Sequence, residues 1–258
     1  SHVQAWSNLG IVLYNHGDIP GSIDAYRKGL QHDSNHVDSH NNLGNSLRAN
    51  GQLEEAVFHF NEAIRLKPDY PHAYSNLANV LKDLGRLSDA LAAYDQAVSL
   101  DENYFEAWNN RGATLQELGD LNGAMTSIER ALALNSNYAD AWSNLGNVYR
   151  DLKDFDKATE YLNRSLNLNS TLFMAWNNLG VVYKDQHQHK KALAYFEKAL
   201  ELAPNYAEAH NNLGHSLDKH GKIDKAQKHY EDSIRLKPGY ASPYNNLGNL
   251  LQNLGDTN

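Results

Sequence analysis

Apolar and polar positions along this chain recur at one fixed interval. In Ala141-Trp142-Ser143-Asn144-Leu145-Gly146-Asn147-Val148-Tyr149, the residues Trp142, Leu145, Gly146 and Tyr149 stand at i, i+3, i+4 and i+7, so they share one face of a helix. The glycine returns every 34 residues, at Gly10, Gly44, Gly112, Gly180, Gly214 and Gly248, with Ala78 in the third place. Four positions before it comes a large ring: Trp6, His40, Tyr74, Trp108, Trp142, Trp176, His210 or Tyr244. A second apolar face follows, built from a small residue (Ala56, Ala90, Ala124, Ala158, Ala192, Ala226), then a ring or aliphatic (Tyr26, Phe60, Tyr94, Ile128, Leu162, Phe196, Tyr230), then a small residue again (Ala63, Ala97, Ala131, Ala199). Gly17, Gly51, Gly85, Gly119 and Gly221 fall between the two faces, where a left-handed residue ends a helix. Each period therefore predicts two antiparallel helices, with Ala158 placed against Gly146. Such a pair cannot bury its apolar face alone, so the pairs must stack into an all-α solenoid.

The period divides the whole chain, 1–258, into seven units at about 3–36, 37–70, 71–104, 105–138, 139–172, 173–206 and 207–240, followed by an unpaired helix over 241–254. The first unit is the least regular, with Ser22 and Gly29 at its small positions, as terminal repeats often are. Lys153 and His187 replace the turn glycine in units five and six, which predicts looser turns there. Arg111 stands where neighbouring units carry leucine, and is expected to pack its stem on apolar surface with its head in water. The abrupt start at Ser1-His2, and a stop at Asp256-Thr257-Asn258 just after Gly255, read as an array cut in mid-repeat.

The ring, leucine and glycine columns, the small positions of the second helix, and Pro68, Pro204 and Pro238 at the ends of three units resemble the tetratricopeptide repeat family over essentially the entire chain. That resemblance implies a right-handed superhelix of roughly one turn. It also implies a non-catalytic protein-binding role, with the first helices lining a concave groove that receives a protein or peptide ligand.

Composition narrows the alternatives. The net charge is −8 with both signs interspersed, and no basic stripe of the kind a nucleic-acid binder needs is visible. There are no cysteines, which excludes disulfides, zinc–thiolate sites and cysteine catalysis and fits a reducing, cytoplasmic setting. No apolar run is long enough to span a bilayer and no signal peptide opens the chain, so no membrane partner is expected. Thirteen histidines raise the question of a metal. His32, His36 and His40 are four apart but straddle a turn, and His187-Gln188-His189 lies at another turn without a metalloprotease motif, so they are read as surface histidines with no metal and no cofactor. No phosphate loop, nucleophile elbow or paired catalytic carboxylate appears, and no enzyme activity is expected of this segment.

The most informative polar column lies two residues before each glycine. It is asparagine in all eight places: Asn8, Asn42, Asn76, Asn110, Asn144, Asn178, Asn212 and Asn246. Asn45, Asn79 and Asn147 add a second column just after the glycine. Asparagine is a poor helix former, so packing or a ligand must compensate for it. An amide carries donors and an acceptor that match the backbone of an extended peptide. The segment Trp142-Ser143-Asn144-Leu145-Gly146-Asn147 is similar to the repeat region of the O-linked N-acetylglucosamine transferases, and that similarity implies an asparagine ladder that holds protein substrates by their backbone. The same column could equally tie neighbouring helices together. Asp38, Glu106, Asp140 and Glu208 near helix starts, and Arg48, Lys82, Arg150 and Lys184 near helix ends, are read as solvated charges that suit the helix dipole. A reading of a different class is a structural scaffold that self-associates through its open ends or convex face.

Overall fold

The structure, a computed structural model, describes residues 2–255. The expectations placed on Ser1 and on Asp256, Thr257 and Asn258 lie outside the described residues. Within the described residues every regular element is a helix. The chain divides into two compact units, the first ending at Asn135 and the second beginning at Ser136. In the first, α1 (His2–Asn15) packs on α2 (Ile19–His32), α3 (Val37–Ala49) on α4 (Leu53–Leu66), α5 (Pro71–Asp83) on α6 (Leu87–Leu100), and α7 (Phe105–Glu117) on α8 (Leu121–Leu134). The second repeats this with α9 (Ala139–Asp151) on α10 (Phe155–Leu168), α11 (Phe173–Asp185) on α12 (His189–Leu202), and α13 (Ala207–Asp218) on α14 (Ile223–Leu236), followed by α15 (Ala241–Gly255). Within each unit the second helix of a pair also packs on the first helix of the next, and successive first helices touch.

The glycine column is where the two helices of a pair meet. A β-carbon on Gly180 would lie 2.5 Å from the Phe196 ring, and one on Gly44 would lie 2.7 Å from that of Phe60. Gly146 meets the Leu162 side chain at 2.7 Å and the carbonyl oxygen of Ala158 at 3.1 Å, and Ala158 itself is fully buried. The Ala158 contact is thus made by its backbone, while Leu162 fills the space that the missing side chain leaves. The ring column stays inside: Tyr26, Phe60, Tyr94, Phe196 and Tyr230 are among the most deeply buried side chains. Where a serine replaces the second small residue, its hydroxyl is used as well. Ser165 and Ser233 donate to the carbonyls of Ala139 and Ala207, at the first positions of α9 and α13, at 2.7 and 2.8 Å.

The turns at Lys153 and His187 are not loosened. Both residues take up the left-handed conformation, at φ 64° and 60°, that Gly85 adopts at φ 75°. The closing bonds are the same in all three. Gly85 N–H donates to Lys82 at 2.9 Å and Arg86 to Leu81 at 2.8 Å; Lys153 donates to Arg150 at 2.9 Å and Asp154 to Tyr149 at 3.0 Å; His187 donates to Lys184 at 2.9 Å and Gln188 to Tyr183 at 2.8 Å. Packing of the flanking helices dictates the turn, and the side chains at 153 and 187 bear the strain. A left-handed conformation costs an L-residue roughly 1–2 kcal/mol, against which a glycine loses about 0.5–1 kcal/mol more chain entropy on folding. Lys153→Gly and His187→Gly are each expected to raise unfolding free energy by about 0.5–1 kcal/mol in urea titrations. A fall in stability would show that the side chains stabilise the turns by some other contact.

Candidate functional site

The asparagine column is engaged within the protein. Asn76 donates from Nδ2 to Asn41 Oδ1 at 3.0 Å, Asn212 to Asn177 at 3.0 Å, Asn246 to Asn211 at 2.9 Å, and Asn178 to Ser143 Oγ at 3.3 Å. Each of these bonds joins the first helix of one repeat to the first helix of the repeat before it. Asn110 makes a longer bond to Asn79, at 3.4 Å. Asn42 and Asn110 accept from the residue just before them, Asn41 and Asn109, at 3.2 and 3.1 Å. Asn8 is exposed and accepts from Gln4 on its own helix at 2.9 Å. The preceding column, with Asn41, Ser75, Asn109, Ser143, Asn177 and Asn211, is buried under these bonds. An amide has two N–H groups and two lone pairs, so one bond of each kind leaves capacity for a ligand.

One recess in the second unit gathers these groups. It has a volume of about 210 Å³ and is lined by Asp140, Ser143, Asn144 and Asn147 of α9, Leu172 and Met174 at the start of α11, Asn178 further along that helix, and Tyr206 before α13. Met174 is well exposed and Leu172 buried, and both add apolar surface to the lining. The Tyr206 ring stands edge-on to Phe173 at 5.0 Å, and burial pushes its pKa up to about 12, so its hydroxyl stays protonated. The Oδ1 of Asn147 is buried here with no hydrogen-bond partner. Its counterpart Asn79 accepts from the Tyr94 hydroxyl at 2.5 Å, and at Tyr94's place this repeat has Leu162. A buried acceptor left empty is costly, and this one is closed to solvent although its residue lines the recess. The asparagines could be picked from sequence; Leu172, Met174 and Tyr206 could not, because they come from the junctions between repeats. The substitution of tyrosine by Leu162 was the available signal for the orphaned oxygen.

A second recess, of about 220 Å³, lies in the first unit between Ile11, Tyr14, Asn15, Tyr26, Asn42 and Asn45.

The column of charges is more than solvated decoration. Arg48 reaches Asp83 at 2.6 Å and Lys82 reaches Glu117 at 2.8 Å, each one repeat on, while Arg150 pairs with Asp151 at 2.7 Å and approaches Asp185 at 3.9 Å. Lys219 occupies the next acidic place, so Lys184 turns to Asn212 Oδ1 at 3.4 Å, and burial lowers its pKa. Arg111 also departs from expectation. Its head is bound rather than hydrated, donating to Asp95 at 2.6 Å and Ser127 Oγ at 2.5 Å and lying over the Trp108 ring.

The ring four before each glycine has a role that its spacing does not disclose. Trp108, Trp142 and Trp176 donate from the indole N–H to Glu102, Ser136 and Ser170, the carbonyls six residues earlier, at 2.9–3.0 Å. His40 and His210 keep that bond, with Nε2 at 3.0 Å from Ser34 and Pro204. These two are buried, not surface, histidines. Their other nitrogens face a second histidine: His40 Nδ1 lies 2.9 Å from His59 Nδ1, and His210 Nδ1 lies 3.0 Å from His229 Nδ1.

Models described as tetratricopeptide repeat match residues 25–58, 139–172 and 171–239, and one described as TPR repeat matches 44–85, 78–119 and 115–152. No curated protein matches the chain. Among solved structures, a tetratricopeptide repeat protein from Parabacteroides merdae superposes with a TM-score of 0.83 at 15% identity, over 97% of this chain and 99% of that one. The APC/C hetero-tetramer Cut9–Hcn1 gives 0.78 at 18% identity over 94% of this chain, which spans about half, 48%, of its length. The protein MamA gives 0.53 at 26% identity over 67% of this chain and 94% of that one.

The buried pair in the first unit makes stability depend on pH. Burial, with His40 and Arg27 opposing protonation more than Glu55 and Glu62 favour it, lowers the His59 pKa from 6.5 to about 4. A folded pKa below the unfolded value means that the stabilising neutral form is fully present above pH 6.5, and its contribution is lost as the pH falls from there toward 4. The melting temperature should therefore drop between pH 6.5 and 4.5, above the range where carboxylates titrate. His59→Ala, the residue that Ala93 supplies at the same place, should flatten that slope. An unchanged slope would show that His59 is protonated without cost.

Proposed function

The chain belongs to the tetratricopeptide repeat family, and from that premise we propose that it binds an extended segment of a protein partner across the first helices of its repeats, without catalysing a reaction on it. Repeats of this family serve protein–protein interaction. The observation that carries the finer reading is the recess of the second unit, which Asn144, Asn147 and Asn178 line together with Leu172 and Met174 and where Asn147 Oδ1 lacks a donor. A peptide N–H is the donor such an acceptor lacks, which the Asn147 amide reaches by turning about its side-chain bonds into the recess, and Met174 offers apolar surface to a side chain of the same peptide. A further step is that the bound segment is a substrate recruited for a glycosyltransferase domain of the O-linked N-acetylglucosamine class. The similarity of Trp142 to Asn147 to that region supports it.

Alanine substitution of the column alone does not separate ligand binding from stitching, because the same amides join neighbouring helices. Asn144→Ala with Asn178→Ala and Asn212→Ala should lower both the melting temperature and the affinity for a peptide selected from a random linear library. Leu162→Tyr separates the two. It supplies the hydroxyl that Tyr94 gives to Asn79, so the orphaned oxygen is filled from inside. Stability should hold or rise, while peptide affinity falls roughly two- to tenfold, the equivalent of one hydrogen bond of about 0.5–1.5 kcal/mol. Normal affinity in Leu162→Tyr and in the triple variant would refute binding at this recess.

Self-association through apolar side chains of α1 and α15 is the second reading. Leu9 is 42% exposed where its counterpart Leu43 is fully buried, Val12 is 51% exposed, and Tyr244 and Leu251 on α15 are 47% and 48% exposed. If these faces pair head to tail, sedimentation velocity should give a mass that grows with concentration, and Val12→Glu should abolish the growth. A concentration-independent monomer mass would rule this out.

A further inference from the structure

Two positions of the repeat, the ring four before the glycine and a residue nineteen further on in the second helix, face each other in four of the repeats. In most units the second position holds an apolar, small or aromatic residue: Ala25, Ala93, Ser127, Tyr161 or Tyr195. Trp142 lies against Tyr161, and Trp176 against Tyr195, as ordinary ring pairs. In two units only, both positions are histidine, as His40 with His59 and His210 with His229. A third position changes with them. Three residues after the second histidine, and so on the same face of its helix, stand Glu62 and Asp232, where the other units have Lys28, Gln96, Arg130, Arg164 and Lys198. Two imidazoles and a carboxylate thus arrive together or not at all.

We propose that His210, His229 and Asp232 bind one divalent ion of the zinc class through two imidazole nitrogens and one carboxylate oxygen. One ligand atom from each of the three lies within 4.8 Å of the others, and the site is partly buried. The tautomer of the first ligand is already set. Nε2 of His210 lies 3.0 Å from the Pro204 carbonyl, which can only accept, so Nε2 carries the proton and Nδ1 presents its lone pair toward His229. A backbone carbonyl holding the far nitrogen of a ligating histidine is the usual outer support of such sites. Without an ion, the Nδ1–H of His229 is the donor across the 3.0 Å gap; with one, that proton moves to its Nε2 and both Nδ1 lone pairs face the metal. Nitrogens bound to tetrahedral zinc at about 2.0–2.1 Å lie about 3.3 Å apart, so the rings need to open by only a few tenths of an ångström. Three protein ligands leave a fourth position for water or a ligand atom from outside.

The two histidine pairs are not equivalent. In the first unit Arg65 clasps both oxygens of Glu62, with bonds of 2.8–3.2 Å. In the second, Arg235 holds Oδ1 of Asp232 alone, at 2.8 Å, and Oδ2 is left for the ion. The first pair is therefore the internal control for the second.

The test is a titration of the full chain with Co²⁺, read by its visible absorption, followed by competition with Zn²⁺. One saturating site displaced by an equimolar amount of Zn²⁺ is expected. His229→Ala should weaken it at least tenfold, Asp232→Asn severalfold, and Arg235→Gln should tighten it severalfold by releasing the second carboxylate oxygen. His59→Ala should leave it unchanged. Should His229→Ala unfold the chain, His210→Tyr with His229→Ala restores a pair that the protein already carries as Tyr74 and Ala93, and should be folded and unable to bind. Absence of saturable binding in the parent, or binding that survives in the double variant, would reduce the cluster to a hydrogen-bonded ring pair. An unaltered affinity in Asp232→Asn would remove the carboxylate from the site.

Discussion

In six of the seven helix pairs the seam depends on a side chain that is not there, and the third carries only the methyl of Ala78. The glycine of the first helix leaves room for a ring or aliphatic group from the second, at separations where a β-carbon would collide with it: 2.5 Å from Phe196 at Gly180 and 2.7 Å from Leu162 at Gly146. Close approach removes both apolar faces from water at once, and the fully buried Phe60 and Phe196 are the result. Because the contact sets the distance between the helices, it also sets their turn. Lys153 and His187 adopt the left-handed conformation that glycine adopts elsewhere, since relaxing them would pull the seam apart.

Once the helices are held at this spacing, the polar columns fall into register. Asn76 meets Asn41, Asn212 meets Asn177 and Asn246 meets Asn211 because successive first helices within each compact unit lie against one another in the same register. A poor helix former is retained because its amide stitches one repeat to the one before it, in a buried setting where an unmade bond would be expensive. The column thus stitches first helices together at Asn76, Asn110, Asn178, Asn212 and Asn246. At Asn147 the second column loses its tyrosine partner to Leu162, and one buried oxygen is left unpaired.

The histidines show how position governs chemistry in an array. At the ring column, His40 and His210 are buried and keep the junction bond that tryptophan makes in other repeats. The imidazole meets the same requirement as the indole, an N–H aimed at a carbonyl six residues back, but brings a second nitrogen. That nitrogen is what makes a partner histidine useful, and it separates these two repeats from those closed by Trp142 or Trp176.

The all-helical repeat, its period and its buried columns were legible in the sequence, because spacing of apolar residues at 3, 4 and 7 reports a helical face whatever lies around it. The asparagine columns were legible for the same reason, as a pattern. Their bonding was not: an amide that serves a ligand and one that serves a neighbouring helix read alike, and only packing brings Asn212 to Asn177 across 35 residues. The histidine pairs, the bound head of Arg111, the inter-repeat ion pairs of Arg48 and Lys82, and the junction residues Leu172 and Tyr206 likewise belong to the tertiary structure. Local sequence dictates which face of a helix is apolar, since that depends on residues within two turns. Which polar groups meet depends on how one repeat is set against the next, and that step is decided by the sum of contacts along the seam.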